Sequence, residues 1–140
     1  MKRCVIDASL IAASMFQEEF EEPASALLAS NCIQVAPAII FAEVGNVIWK
    51  RFRLKEINEI EAGKLLAGFF RLPLRITPSE KLIKSSLQIA MQYDRTAYDS
   101  LYVALAVKTD AVMVTTDKRL VNALAGSPLK KYVRWLGDVK

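Results

Sequence analysis

Four of the 15 Asp and Glu residues stand where ordinary surface charge does not explain them. Glu43 is the one charge in "APAIIFAEVGNVIW" (36–49), and Asp99 is the one charge in "TAYDSLYVALAV" (96–107). Wound as helices, both runs are apolar nearly all the way round, and such helices are buried. An unpaired buried carboxylate costs several kcal/mol even after the protein relaxes. Asp7 directly follows Cys4-Val5-Ile6, and Asp117 directly follows "AVMVTT" (111–116). If those runs are strands, both acids lie at carboxyl ends, the edge where open α/β sheets bind ligands. Four converging carboxylates repel one another and would partly protonate. A hard divalent cation, Mg²⁺ or Mn²⁺, relieves that repulsion with an all-oxygen ligand set. Such a centre activates water and steadies charge at a phosphate.

Each acid also has a plainer reading, and the residues by themselves leave several open. "TAYD" fits a capping box with Thr96 as N-cap and Asp99 reaching back to it. Arg95, four residues before Asp99, is a further partner for it. Asp7 and Asp117 can each cap the helix that follows. Glu43 has no such alternative, because it is mid-helix with no basic residue within one turn. Ser9, Asn46, Thr115 and Thr116 lie beside these acids. They read as groups that orient carboxylates or, equally, as caps and turn formers. Asn46 shares a helix face with Glu43, three residues before it.

The sequence contains no histidine. That excludes a Ser-His-Asp triad, a Cys-His pair and any histidine general base. It also excludes zinc held by histidine. Carboxylates, lysines or hydroxyls must carry whatever chemistry there is.

The elements that position these acids alternate along the chain. Short apolar runs at 2–7, 32–36, 73–77, 111–116 and 132–137 read as strands. Between them lie helical segments. The first covers "LIAASMF" with Ser9 as its cap, and the second covers "EEFEEPASALLAS", whose four glutamates suit a helix start. Pro37 opens a helix running to Arg53, and another covers 57–72. Ser79 and Thr96 each begin one, and "DKRLVNALAG" is the last. Strand–helix alternation from start to finish predicts an α/β fold, with a five-stranded parallel sheet between helix layers.

A chain of 140 residues with 53% hydrophobic residues suits one domain over 1–140. No 20-residue apolar span exists, so no membrane segment is expected. Asp7 interrupts what would be the apolar part of a secretion signal, so the expected location is cytoplasmic. Cys4 and Cys32 are therefore expected to be reduced and buried, without a disulfide. The net charge of +4 leans mildly toward polyanionic partners. "KRFRLK" (50–55) reads as cations at a helix C-terminus, with an RNA backbone as the alternative partner. Lys118 and Arg119, directly after Asp117, are better placed to meet a phosphate backbone. Trp49 and Phe52 read as core or dimer packing, with base stacking the alternative.

"VIDAS", "FAEVGNVIW", "AYDSLYVALA" and "VTTDKRL", in this order and spacing, resemble the PIN domain. More narrowly they resemble the toxin ribonucleases of VapBC toxin–antitoxin pairs. The resemblance implies that Asp7, Glu43, Asp99 and Asp117 form a Mg²⁺ or Mn²⁺ site, with Thr115 or Thr116 assisting and Ser9 beside the first acid. It implies endonucleolytic cleavage of RNA, a homodimer, and a VapB-like antitoxin whose C-terminal segment lies in the active-site groove. Asp110 departs from the glycine that commonly turns the chain before the fourth strand. Two other readings stay open: an RNA-processing PIN nuclease outside any toxin–antitoxin pair, and a non-catalytic PIN relic.

Overall fold

The computed structural model describes residues 2–16 and 18–139. Five parallel strands form one sheet: β1 (Arg3–Ile6), β2 (Ile33–Pro37), β3 (Arg75–Thr77), β4 (Val112–Thr115) and β5 (Val133–Trp135), in the order β3-β2-β1-β4-β5. Seven helices connect them: α1 (Ala8–Met15), α2 (Glu21–Leu28), α3 (Ile40–Arg53), α4 (Glu59–Phe70), α5 (Ile83–Tyr93), α6 (Ala97–Thr109) and α7 (Lys118–Leu124). The α/β class and the five strands agree with the sequence reading. The chain runs from β1 to β2 and β3 on one side, then returns to place β4 against the other side of β1. Right-handed crossovers in opposite directions put their helices on opposite faces of the sheet. The strand order therefore reverses between β1 and β4, and ligands of such sheets bind outside the carboxyl ends at that point.

Register makes the reversal local and definite. Ile6 pairs with Val114, so Asp7 and Thr115 each continue a strand at the same edge. Val5, Ile6, Met113 and Val114 are buried between the helix layers. On one face α6 crosses β1, β2 and β4, with α5 packed outside it. Ser100 through Ala106 are all buried, as expected of a helix without a wet face. A Ser86 hydroxyl on α5 donates to the Ala97 carbonyl at 2.6 Å and pins the two helices together. From the other face α1 meets β4 and contacts α2 and α3.

Several local expectations shift. Asp7, not Ser9, is the N-cap of α1, accepting the Leu10 amide at 3.0 Å. Ser9 is thereby free to face the strand ends. Pro37 ends β2 instead of opening a helix, because it pairs with Thr77 and the next amide, Ala38, donates to the Thr77 carbonyl. α3 begins three residues later, after a turn. Ser79 starts a 3-10 turn, and the α-helix proper begins at Ile83. The second helix begins at Glu21, which leaves Pro23 in its first turn, where a missing amide costs nothing.

The cysteines correct the sequence reading outright. Cys4 and Cys32 form a disulfide, and neither is fully buried. Adjacent parallel strands explain it. Cys4 pairs with Gln34, so Cys4 and Cys32 sit two residues off register, on the same side of the sheet, with Cα atoms 6.1 Å apart, inside the range that a disulfide spans.

Candidate active site

Asp7 stands at the end of β1, 7% exposed, and two donors hold its carboxylate. Ser9 Oγ donates to its Oδ1 at 2.7 Å, and the Leu10 amide donates to the same oxygen. Ser9 also receives the Thr116 amide at 3.2 Å and lies 3.4 Å from Thr115 Oγ1. The end of β1 is thus stitched to the end of β4 by hydroxyls. Burial pushes the Asp7 carboxyl up to about 6, the nearby Glu43 adding to the rise while Thr115, Ser9 and the Leu10 amide pull it back. An aspartate with hydrogen-bond donors on it and still a raised pKa is one whose desolvation dominates.

The other acids approach from separate elements. Glu43 lies in the first turn of α3 and takes a 2.5 Å hydrogen bond from the Tyr102 hydroxyl of α6. Its carboxyl is raised by burial first and by Asp99 after that. Asp99, one turn before Tyr102 on α6, is likewise raised by burial and then by Asp117. Asp117 caps α7, with one carboxylate oxygen accepting the Arg119 and Leu120 amides at 3.0 and 3.2 Å. The acids therefore disfavour one another's charge in a series: Asp7 and Glu43, Glu43 and Asp99, Asp99 and Asp117. Among the described residues no three of them close into a ready cage for one ion. Nor does any of the four make an ion pair there, the described pairs being Arg51 with Glu18 and with Glu56. A series of mutually repelling carboxylates, none of them in an ion pair among the described residues, is a donor set that suits a hard divalent ion.

The capping reading of Asp99 is half right. Thr96 accepts the Asp99 amide at 3.0 Å. At α4 the reciprocal bond is also made, Glu61 reaching back to the Asn58 amide. Among the described residues Asp99 makes no such return bond, so its carboxylate is not consumed by the cap. Arg95 lowers its pKa only as the weakest of four influences.

Residues 4–125 match the PIN domain family. The chain is a PIN domain. It is 31% identical over 121 residues to Ribonuclease VapC3 of Pyrobaculum aerophilum, covering 84% of this chain and 92% of that one. It is 31% identical over 124 residues to Ribonuclease VapC1 of Mycobacterium tuberculosis, covering 88% and 92%. Two solved structures share the fold. PAE2754 from Pyrobaculum aerophilum superposes with a TM-score of 0.69 at 18% identity, over 97% of this chain and 85% of that one. A toxin–antitoxin complex from Klebsiella pneumoniae does so with a TM-score of 0.60 at 17% identity, over 94% and 95%.

Within this PIN domain the flanking candidates divide. Ser9 and Thr115 join the acids directly, Thr115 also accepting the Asp117 amide at 3.0 Å. Thr116 contributes its backbone amide. Asn46 is exposed and has no side-chain hydrogen bond among the described residues, so the shared helix face with Glu43 does not make it a partner. Lys118 lies over the Trp135 ring at 3.9 Å, and Arg119 is exposed beside it. The run at 50–55 is partly committed: Arg51 pairs with Glu18 and Glu56 and lies over Phe16. Trp49 and Phe52 are both exposed, so neither is a core residue. Tyr102 is the participant the sequence reading took for plain apolar filling. A phenol buried to 2% needs a partner for its hydroxyl, and its place three residues after Asp99 put it on the same helix face.

Proposed function

We propose that this PIN domain is a divalent-metal-dependent endoribonuclease of the VapC type, the toxin of a toxin–antitoxin pair. The observation that carries the reading is a set of acids whose charges raise one another's pKa, Asp7 with Glu43, Glu43 with Asp99 and Asp99 with Asp117, none of them in an ion pair among the described residues. The 31% identity to two VapC ribonucleases supports it. The four carboxylates would hold Mg²⁺ or Mn²⁺, which when bound supplies an activated water and neutralises charge on the scissile phosphate. Ser9, Thr115 and the Leu10 amide keep Asp7 oriented toward the edge. The Arg119 and Leu120 amides hold one Asp117 oxygen, which leaves the other for the ion. Lys118 and Arg119 draw the RNA backbone to this edge, an attraction that weakens with salt.

Two partners complete the reading. Ile83, Leu87 and Met91 recur every four residues on α5 and are exposed, an apolar stripe suited to a second copy of the chain. A VapB-like antitoxin would lay its C-terminal segment in the groove over the acids. The test is an RNA cleavage assay on metal-stripped protein with Mg²⁺ or Mn²⁺ added back, alongside Asp99→Asn. Cleavage that needs the ion and is lost in Asp99→Asn is the expected result. Cleavage that survives EDTA would overturn the mechanism. Metal binding without cleavage of any RNA would make the chain a relic. A neighbouring short open reading frame that lacks an antitoxin would move the activity to RNA processing.

A further inference from the structure

Tyr102 ties together two of the elements that bring the acids to the edge, α6 and α3. Its hydroxyl donates to Glu43 Oε1 at 2.5 Å, and its ring is buried between α6 and the sheet, 2% exposed. Asp99 precedes it by one helical turn, so the two project from the same face of α6. Thus one hydroxyl carried by α6 gives to α3. A phenol ionises only at about pH 10, so at neutral pH it stays a donor. Ser9 and Thr115 do this service for Asp7, and backbone amides do it for Asp117. Among the described residues Tyr102 is the sole hydrogen-bond donor to the Glu43 side chain.

We propose that Tyr102 is a positioning residue for the metal site: it occupies one oxygen of Glu43 and so turns the other toward the ion. The proposal rests on the metal-nuclease reading above. A carboxylate with both oxygens free rotates about its last torsion, and a donor fixed on one of them removes that freedom. Partners of this kind, one step out from the ion, typically change metal affinity about 10–100-fold when removed.

Tyr102→Phe deletes the hydroxyl and keeps the ring. Calorimetry with Mn²⁺ on the metal-stripped protein should show affinity about tenfold weaker than wild type. The Mg²⁺ concentration for half-maximal cleavage should rise by a similar factor, while the rate at saturating Mg²⁺ falls much less. In a Glu43→Gln background the same change should have little further effect on Mn²⁺ affinity, since the two act as one unit. Unchanged Mn²⁺ affinity in Tyr102→Phe, with wild type binding and Asp99→Asn not, overturns the proposal and leaves the nuclease reading standing. A wild type that binds no Mn²⁺ overturns both. If Tyr102→Phe does not fold, protein that keeps Tyr102 as 3-fluorotyrosine, with Tyr93, Tyr98 and Tyr132 changed to Phe, reports on Tyr102 alone. Its fluorine resonance should then move as Mg²⁺ is added, with the midpoint of activation, and a stationary resonance counts against the proposal.

Discussion

At the scale of single residues the acids explain each other. Asp99 interrupts a buried helix and has only its amide, not its carboxylate, in the cap at Thr96. Replacing it with Asn removes a charge that burial and Asp117 both disfavour. The variant should melt at or above the wild-type temperature in EDTA, gain less from Mg²⁺, and cut no RNA. A variant that melts lower in EDTA and still cuts would make Asp99 a cap only. Asp7 gives a pH signature. Its carboxyl titrates near pH 6 folded against 3.8 in its ordinary state. Between those values the folded form keeps a proton the unfolded form releases, so metal-free protein should lose stability as pH rises from about 4 to 6. Each tenfold change in proton affinity is about 1.4 kcal/mol, so the loss is on the order of 2–3 kcal/mol. Asp7→Asn keeps an acceptor for the Leu10 amide and should flatten that slope. Urea melts at a series of pH values decide it, and an unchanged slope would mean that Asp7 is not the group responsible.

At the scale of elements, the caps and turns decide where helices begin and how they hand over to strands. Asp110 is the clearest case. It ends α6 in the left-handed region, φ 50°, one residue before the run into β4. That conformation is why a glycine suits the position, and Asp is among the few other residues that visit it readily. Asp110→Gly should therefore be close to neutral. Asp110→Val should cost about 1–3 kcal/mol, because a β-branched residue is strained there. Thermal melts of the two variants check this, and equal stability would refute it. Neither change should alter metal affinity, since the turn lies at the amino end of β4 and the acids lie at the other.

For the molecule as a whole, the two ends of the strands do different work. The carboxyl ends of β1 and β4 carry the acids. The Cys4–Cys32 disulfide ties the start of β1 to the approach to β2, a sequence separation of 28. Closing a loop of that length restricts the unfolded chain by about 3–4 kcal/mol. Reductant should accordingly lower the melting temperature by roughly 10 °C for a chain this size. Cleavage at temperatures well below the melt should be unaffected. Alkylation without prior reduction, read by mass, tests the bond itself: two added alkyl groups would mean that the thiols are free.

What the amino-acid order determined is what neighbours in the chain decide among themselves. Apolar runs of strand length, apolar runs of helix length and the breaks between them were enough for the α/β class and the five strands. In "TAYDSLYVALAV" burial does follow from composition, whereas the helix of "APAIIFAEVGNVIW" buries Ile40, Val44 and Ile48 and leaves Phe41 and Trp49 exposed, so the lone charge marked Glu43 but the all-round burial expected there was wrong. Boundaries were less legible: Pro37 serves as well to end a strand as to open a helix, and only its pairing with Thr77 chooses. Tertiary structure decided which distant groups meet. Tyr102 reaches Glu43 across 59 residues and Ser9 reaches Thr115 across 106, contacts that no spacing rule encodes. The same holds for Cys4 and Cys32, joined because β1 and β2 are neighbours, and for Asn46, which shares a helix with Glu43 yet faces solvent. The reason is physical: local pattern sets what each segment buries, but strand order and register set who stands opposite whom.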